Sequence, residues 1–149
     1  MPGDGKHETS RMIETATRVA YRLLGTLYIL VGSGAVLLPT AWLPQALTDG
    51  FLLGETPSPF LAHVLQEFGT LMVGMGLAFL WYAGRRELSP GFHWAMTFYL
   101  ALDAFIHWVG PAGPIGSWSR GIVNSIPFAV MLLLGVLRRR ASRKEGRAG

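Results

Sequence analysis

Cysteine is absent from this chain, and charge is scarce: only 15% of its 149 residues are Asp, Glu, Lys or Arg. The first absence excludes disulfides, thiolate metal sites and cysteine nucleophiles, and leaves the redox compartment open. The second excludes an ordinary soluble domain. So few charges cannot cover the surface of a chain that is 50% hydrophobic, with a mean hydropathy of +0.35. The bilayer is the solvent this composition suits. Catalytic signatures are missing as well: no Gly-x-Ser-x-Gly, no glycine-rich phosphate loop, no His-Glu-x-x-His and no Glu-x-x-His. A nucleic-acid partner is not expected. The excess of 13 Lys and Arg over 9 Asp and Glu lies in tails and one loop that flank apolar segments, not on a folded basic face.

What remains is a series of four apolar segments, at about Val19 to Leu38, Phe60 to Ala83, Phe92 to Val109 and Gly121 to Leu137. Each is long enough to cross roughly 30 Å of hydrocarbon. The third is the weakest, because His93 and Asp103 lower its hydropathy, and Pro127 interrupts the fourth. The expected fold is all-α: a polytopic membrane protein with four transmembrane helices in an antiparallel up-down bundle. Residues 18–138 form the transmembrane domain, 1–17 an N-terminal tail and 139–149 a basic tail. The first segment reads as a retained anchor rather than a cleavable signal. Residues 1–8 and 141–149 read as disordered.

Orientation follows from the basic residues. Lys6, Arg11, Arg18 and Arg22 precede the first span, Arg85 and Arg86 follow the second, and Arg138, Arg139, Arg140, Arg143, Lys144 and Arg147 follow the fourth. The two opposite loops hold only Arg120. The positive-inside rule then puts both termini in the cytoplasm of a multi-pass protein of the inner (plasma) membrane. The long loop from Pro39 to Pro59, with Trp42, Leu47 and Phe51, is apolar enough to lie along the outer interface as a short helix. Trp108 and Trp118 would join that outer belt, and Trp81, Tyr82, Trp94 and His93 the cytoplasmic one.

Four ionisable residues fall where hydrocarbon should be: His63 and Glu67 on the second span, Asp103 and His107 on the third. At about 1.5 Å of rise per residue, Glu67 and Asp103 lie roughly 9–10 Å below the outer face, and His63 and His107 roughly 3–5 Å below it. Each pair is spaced i, i+4 and so projects from one helical face. Asn124 and Ser125 reach a similar depth on the fourth span, Tyr99 continues the Asp103 face, and Gly32-Ser33-Gly34 would leave room on the first. Gly69, Gly74 and Gly76 would allow close helix contact, with Thr70 and Gly74 the one small-x₃-small match.

Three explanations compete. Intramembrane polar groups often just fix helix packing, here as a lattice of Glu67–His107 and Asp103–His63 bridged by Asn124. Alternatively, two carboxylates at one depth cannot both ionise cheaply. They would share a proton that a cationic or hydrogen-bonding small molecule could replace, with the imidazoles making the site proton-responsive. Finally, His63, Glu67, Asp103 and His107 together could ligate a metal, although their spacing matches no known ligand pattern. The sequence names no cofactor.

The opening Arg22-Leu23-Leu24-Gly25 into a glycine-containing first span, the long outer loop, and Glu67-Phe68-Gly69 leading into Gly74-Met75-Gly76-Leu77 resemble the small four-helix bacterial membrane proteins of the DoxX-like and kindred groups. The resemblance covers hydropathy and loop lengths over about residues 18 to 138 and carries no site residue. It implies the four-helix fold, and some members of these groups are linked to accessory roles in membrane redox systems. The leading functional expectation is non-enzymatic. A polar pocket facing the extracytoplasmic side, built from Glu67, Asp103, His63, His107, Asn124, Ser125 and Tyr99, would bind a small ligand or exchange protons. An accessory subunit docked to a partner membrane protein or to a second copy, and a metal-dependent intramembrane enzyme, are the alternatives.

Overall fold

The described residues of the computed structural model are 4–37, 59–109 and 116–145, and they form four helices with no strand among them. These are α1 (Asp4–Leu37), α2 (Pro59–Ala83), α3 (Pro90–Val109) and α4 (Gly116–Glu145). The expected interfacial helix around Trp42, Leu47 and Phe51 lies outside the described residues, as does the ring of Trp118. Three stretches are long and apolar enough to cross a membrane: Glu8–Leu37, Ala62–Ala83 and Gly121–Arg143. The third helix, which carries His93, Asp103 and His107, is not among them.

Helix ends follow local chemistry. Pro90 opens α3 at the first helical position, where a missing N–H costs nothing. Ser89 sits just before it as the cap, its hydroxyl oxygen accepting from the Phe92 N–H at 3.4 Å and its carbonyl from the His93 N–H at 3.2 Å. Ser89-Pro90-Gly91 thus starts the helix two residues before Phe92, where the third span was expected to begin. Gly84 follows the last residue of α2, the position where glycine commonly ends a helix. The α1 and α4 helices also run into the tails that read as disordered, from Asp4 and to Glu145. Glu, Met, Arg, Lys and Ala are good helix formers, and Glu14 and Arg18 add an i,i+4 pair.

The chain divides into two compact units. The first spans Tyr21–Tyr82 and holds the later part of α1 against α2. Here α1 and α2 run antiparallel through two glycine contacts. A Cβ on Gly25 would lie 2.8 Å from the Gly76 carbonyl, and one on Gly32 would lie 2.5 Å from the Gly69 carbonyl. On both helices the two glycines are seven residues apart, so they stay on the facing stripe over two turns. Gly34 and Gly74 meet nothing within 4 Å, and Thr70 is exposed with its hydroxyl turned back to the Gln66 carbonyl. The close approach therefore uses Gly69 and Gly76, two of the three glycines expected to allow it, and neither Gly74 nor Thr70. One end of the seam is closed by buried aromatics: Tyr21 meets Tyr82 edge-on at 4.7 Å and Phe79 at 5.6 Å, and Tyr28 meets Phe79 at 5.5 Å. Tyr82 is thus core rather than interfacial belt, while Trp81 beside it is exposed.

The second unit joins Met1–Ala20 to Ala83–Gly149 and is centred on the antiparallel pair α3 and α4. Two arginines hold the turn that leads into this pair. Arg18 pairs with Glu14 at 2.6 Å and donates to the carbonyls of Ala83 (2.9 Å), Arg85 and Arg86 (2.8 Å). The Ala83 carbonyl is an orphan acceptor at the end of α2, those of Arg85 and Arg86 belong to the turn that follows, and a guanidinium there also complements the negative end of the helix dipole. Arg138 donates to the Leu88 carbonyl at 2.8 Å. Leu23, Leu30, Leu71, Phe98, Phe105, Val123 and Leu133 all point outward and are exposed. An apolar exterior on every long helix is what a lipid environment requires and what water penalises.

Candidate functional site

Spacing alone explains the two ionisable pairs. His63 and Glu67 lie one turn apart on α2, and the imidazole Nε2 is 3.3 Å from the carboxylate Oε1. Asp103 and His107 do the same on α3, with Nε2 to Oδ1 at 3.9 Å, an ion-pair distance longer than a hydrogen bond. Their settings differ. Both side chains of the α2 pair are 67% exposed, whereas Asp103 is 27% and His107 31% exposed. The structure records a pairing within each helix, His63 with Glu67 and Asp103 with His107. Four residues of helix already bring each imidazole to its carboxylate.

Each pair offers two donors, one short of the three protein ligands that a catalytic zinc site needs. Among the described residues, no three His, Asp or Glu side chains gather as a metal-ligand set.

The remaining candidates are already engaged. Ser125 accepts the Trp108 indole N–H at 3.0 Å and passes its own hydroxyl hydrogen to the Gly121 carbonyl at 2.7 Å. The Trp108 ring lies directly over Gly121, where a Cβ would come within 2.6 Å of it. Ser125 and Trp108 therefore pin the end of α3 to the start of α4, a role that the sequence reading gave to neither. Asn124 and Tyr99 are half-buried, and both have interaction partners.

A polar residue that sequence reasoning placed at the interface proves to be buried. His93 is 1% exposed, and its Nε2 lies 3.0 Å from the Met131 carbonyl on α4. A carbonyl only accepts, so Nε2 carries the proton. Gly135 makes this possible. Side chains lean toward the helix N-terminus, so one at position 135 would overlie the Met131 carbonyl. A Cβ there would stand 2.7 Å from His93 Nε2 and 3.1 Å from the Trp94 ring. Thr97, also buried, returns its hydroxyl to the His93 carbonyl at 2.8 Å. The signal available in the sequence was a single glycine within the apolar Met131–Leu137 run, opposite a histidine on the neighbouring segment. Among the described residues, no buried side-chain nitrogen or oxygen lacks a hydrogen-bond partner.

Compared with known proteins, the chain matches no family model, no curated protein and no solved structure.

Proposed function

We propose that this chain is a non-enzymatic, four-span protein of the inner (plasma) membrane, arranged up and down with both termini in the cytoplasm. In this reading the pairs His63–Glu67 and Asp103–His107 exchange protons or hold a small cationic ligand. Three apolar spans support the membrane setting. The run of basic residues beside the ends of α1, α2 and α4 supports the orientation, and α3 crosses as the polar fourth span. One observation carries the functional reading: each carboxylate on these apolar helices has an imidazole of its own helix at ion-pair distance. Such a pair can gain or lose one proton without stranding an isolated charge in hydrocarbon, and a histidine does so near neutral pH.

The test is histidine side-chain NMR on protein in nanodiscs, titrated from about pH 5 to 8, the range in which imidazoles change charge. Glu67→Gln should move the His63 titration and leave His107 in place, and Asp103→Asn should do the reverse. His93, bonded to Met131, serves as the control. Titrations unchanged in both variants would sink the proton reading. A thermal-shift screen of small organic cations covers the ligand arm, where a stabilising hit must be lost in one of the two variants.

A second reading is favoured by the exposure of His63 and Glu67 among Phe60, Val64 and Leu71, which are also exposed. An ion pair open on an apolar helix is costly against lipid, so a partner membrane protein or a second copy would cover it. The resemblance to DoxX-like proteins with accessory roles points the same way. Under this reading Glu67→Gln lowers recovery of the complex and leaves the His107 titration alone.

A further inference from the structure

A small basic cavity lies at the opposite end of the α3–α4 pair from Asp103 and His107. It has a volume of about 230 Å³ and is lined by Trp94 of α3 and by Val136, Arg139, Arg140 and Arg143 of α4. The four α4 residues are spaced i, i+3, i+4 and i+7, so they form one stripe on a single helix face. The stripe changes from apolar to cationic where the hydrophobic run of α4 ends, after Leu137. The neighbouring Arg138 points elsewhere and is engaged by the Leu88 carbonyl. Among the described residues, Arg139, Arg140 and Arg143 have no carboxylate or hydrogen-bond partner, although Arg18 on α1 has both.

From this cavity we infer a binding site for the phosphate of an anionic phospholipid headgroup. Three arginines line one space, and guanidinium is the side chain that grips phosphate oxygens bidentately. The cavity is smaller than the roughly 300–1,000 Å³ typical of sites for drug-sized ligands, which suits a headgroup and not a bulky metabolite. Trp94 and Val136 form its apolar side, where the glycerol and the first acyl carbons would lie. An indole at the membrane–water boundary is at home there. Arg139 and Arg140 also lie before the last turn of α4, the stretch within which a cation complements the helix dipole. Basic pockets beside membrane-spanning helices bind acidic headgroups by this chemistry. The inference depends on neither proton exchange nor the choice of leaflet.

The experiment is native mass spectrometry of the whole detergent-purified chain, titrated with dioleoylphosphatidylglycerol and, separately, with dioleoylphosphatidylcholine. The expected result is one retained phosphatidylglycerol per chain, bound roughly tenfold or more tightly than phosphatidylcholine, since each nearby arginine adds attraction to an acidic surface. The R139Q/R140Q/R143Q variant should lose that preference. The variant R11Q/R22Q, which removes two exposed arginines of α1, should keep it. Thermal melting of each variant checks that it is folded. Trp94→Phe gives a second reading, because it keeps the fold's aromatic wall and should weaken retention only partly. Equal retention of the two lipids by the wild-type chain, or an undiminished preference in R139Q/R140Q/R143Q, overturns the inference. Displacement of phosphatidylglycerol by an equal concentration of inorganic phosphate overturns the lipid assignment in favour of a soluble phosphate.

Discussion

Replacing Gly135 by alanine adds one methyl group in a tight side-chain contact between α3 and α4. That methyl would stand 2.7 Å from His93 Nε2, 3.0 Å from Cδ2 and 3.1 Å from the Trp94 ring, each well inside van der Waals contact. Two responses are open. If the imidazole stays, the core is overpacked at a cost of about 1–3 kcal/mol. If it swings away, the bond of 3.0 Å to the Met131 carbonyl is lost and two buried polar groups are stranded, again about 1–3 kcal/mol. Alanine also gains about 1 kcal/mol over glycine as a helix former, which masks part of the loss. Gly74→Ala removes that ambiguity, because nothing lies within 4 Å of its added methyl and it collects the same gain. The gap in stability between the two variants should therefore be about 1–3 kcal/mol with Gly135→Ala the weaker. Equilibrium unfolding in mixed micelles, followed by circular dichroism, measures the gap. In a His93→Ala background most of the penalty should vanish, which a double-mutant cycle reads directly. Equal stability of Gly135→Ala and Gly74→Ala would refute the argument that Gly135 exists to admit the imidazole.

Three further outcomes follow from the same geometry. Gly32→Ala and Gly69→Ala each drive a methyl onto the opposing backbone carbonyl, which cannot yield as a side chain can, and should each cost about 1–3 kcal/mol in the same unfolding assay, whereas Gly34→Ala should be neutral or slightly stabilising. Arg18→Gln frees the carbonyls of Ala83, Arg85 and Arg86, so trypsin should cut after Arg85 and Arg86 several-fold faster; Arg18→Lys should rescue little, because one ammonium cannot fork across those acceptors and Glu14 together. Trp108→Phe and Ser125→Ala should each lose the indole–hydroxyl bond, with a coupling of about 0.6 kcal/mol in the cycle, the usual size of a polar contact between membrane helices; additive effects would show that the bond is idle.

Much of the architecture was legible because each level of the sequence agrees with it. Apolar runs at about 20 residues mark the helices, and Gly84 and Ser89-Pro90 mark the break between α2 and α3. The i,i+4 spacing also sufficed to place His63 beside Glu67 and Asp103 beside His107. The misreadings share one cause. Gly69 and Gly74, or His93 and Trp94, look alike along the chain, and only the rotation of a helix about its axis decides which of them meets a neighbour. Hence Gly74 stands open although Gly69 and Gly76 carry the seam as expected, and Tyr82 is core while Trp81 is outside. Helical continuation into the tails escaped notice for a different reason. Polar sequence was read as disorder, although Glu14 and Arg18 support the helix locally.

The sequence by itself determined the membrane-compatible composition, the helices and the pairing of each imidazole with its carboxylate, because these depend on hydropathy and on contacts within four residues. Tertiary structure decided which glycines carry the helix contacts, that His93 bonds the Met131 carbonyl, that Ser125 belongs to Trp108, and that three arginines open onto one cavity with Trp94. Those facts depend on the rotation and register of one helix against another, and a rotation of a few tens of degrees leaves every local signal in the chain unchanged.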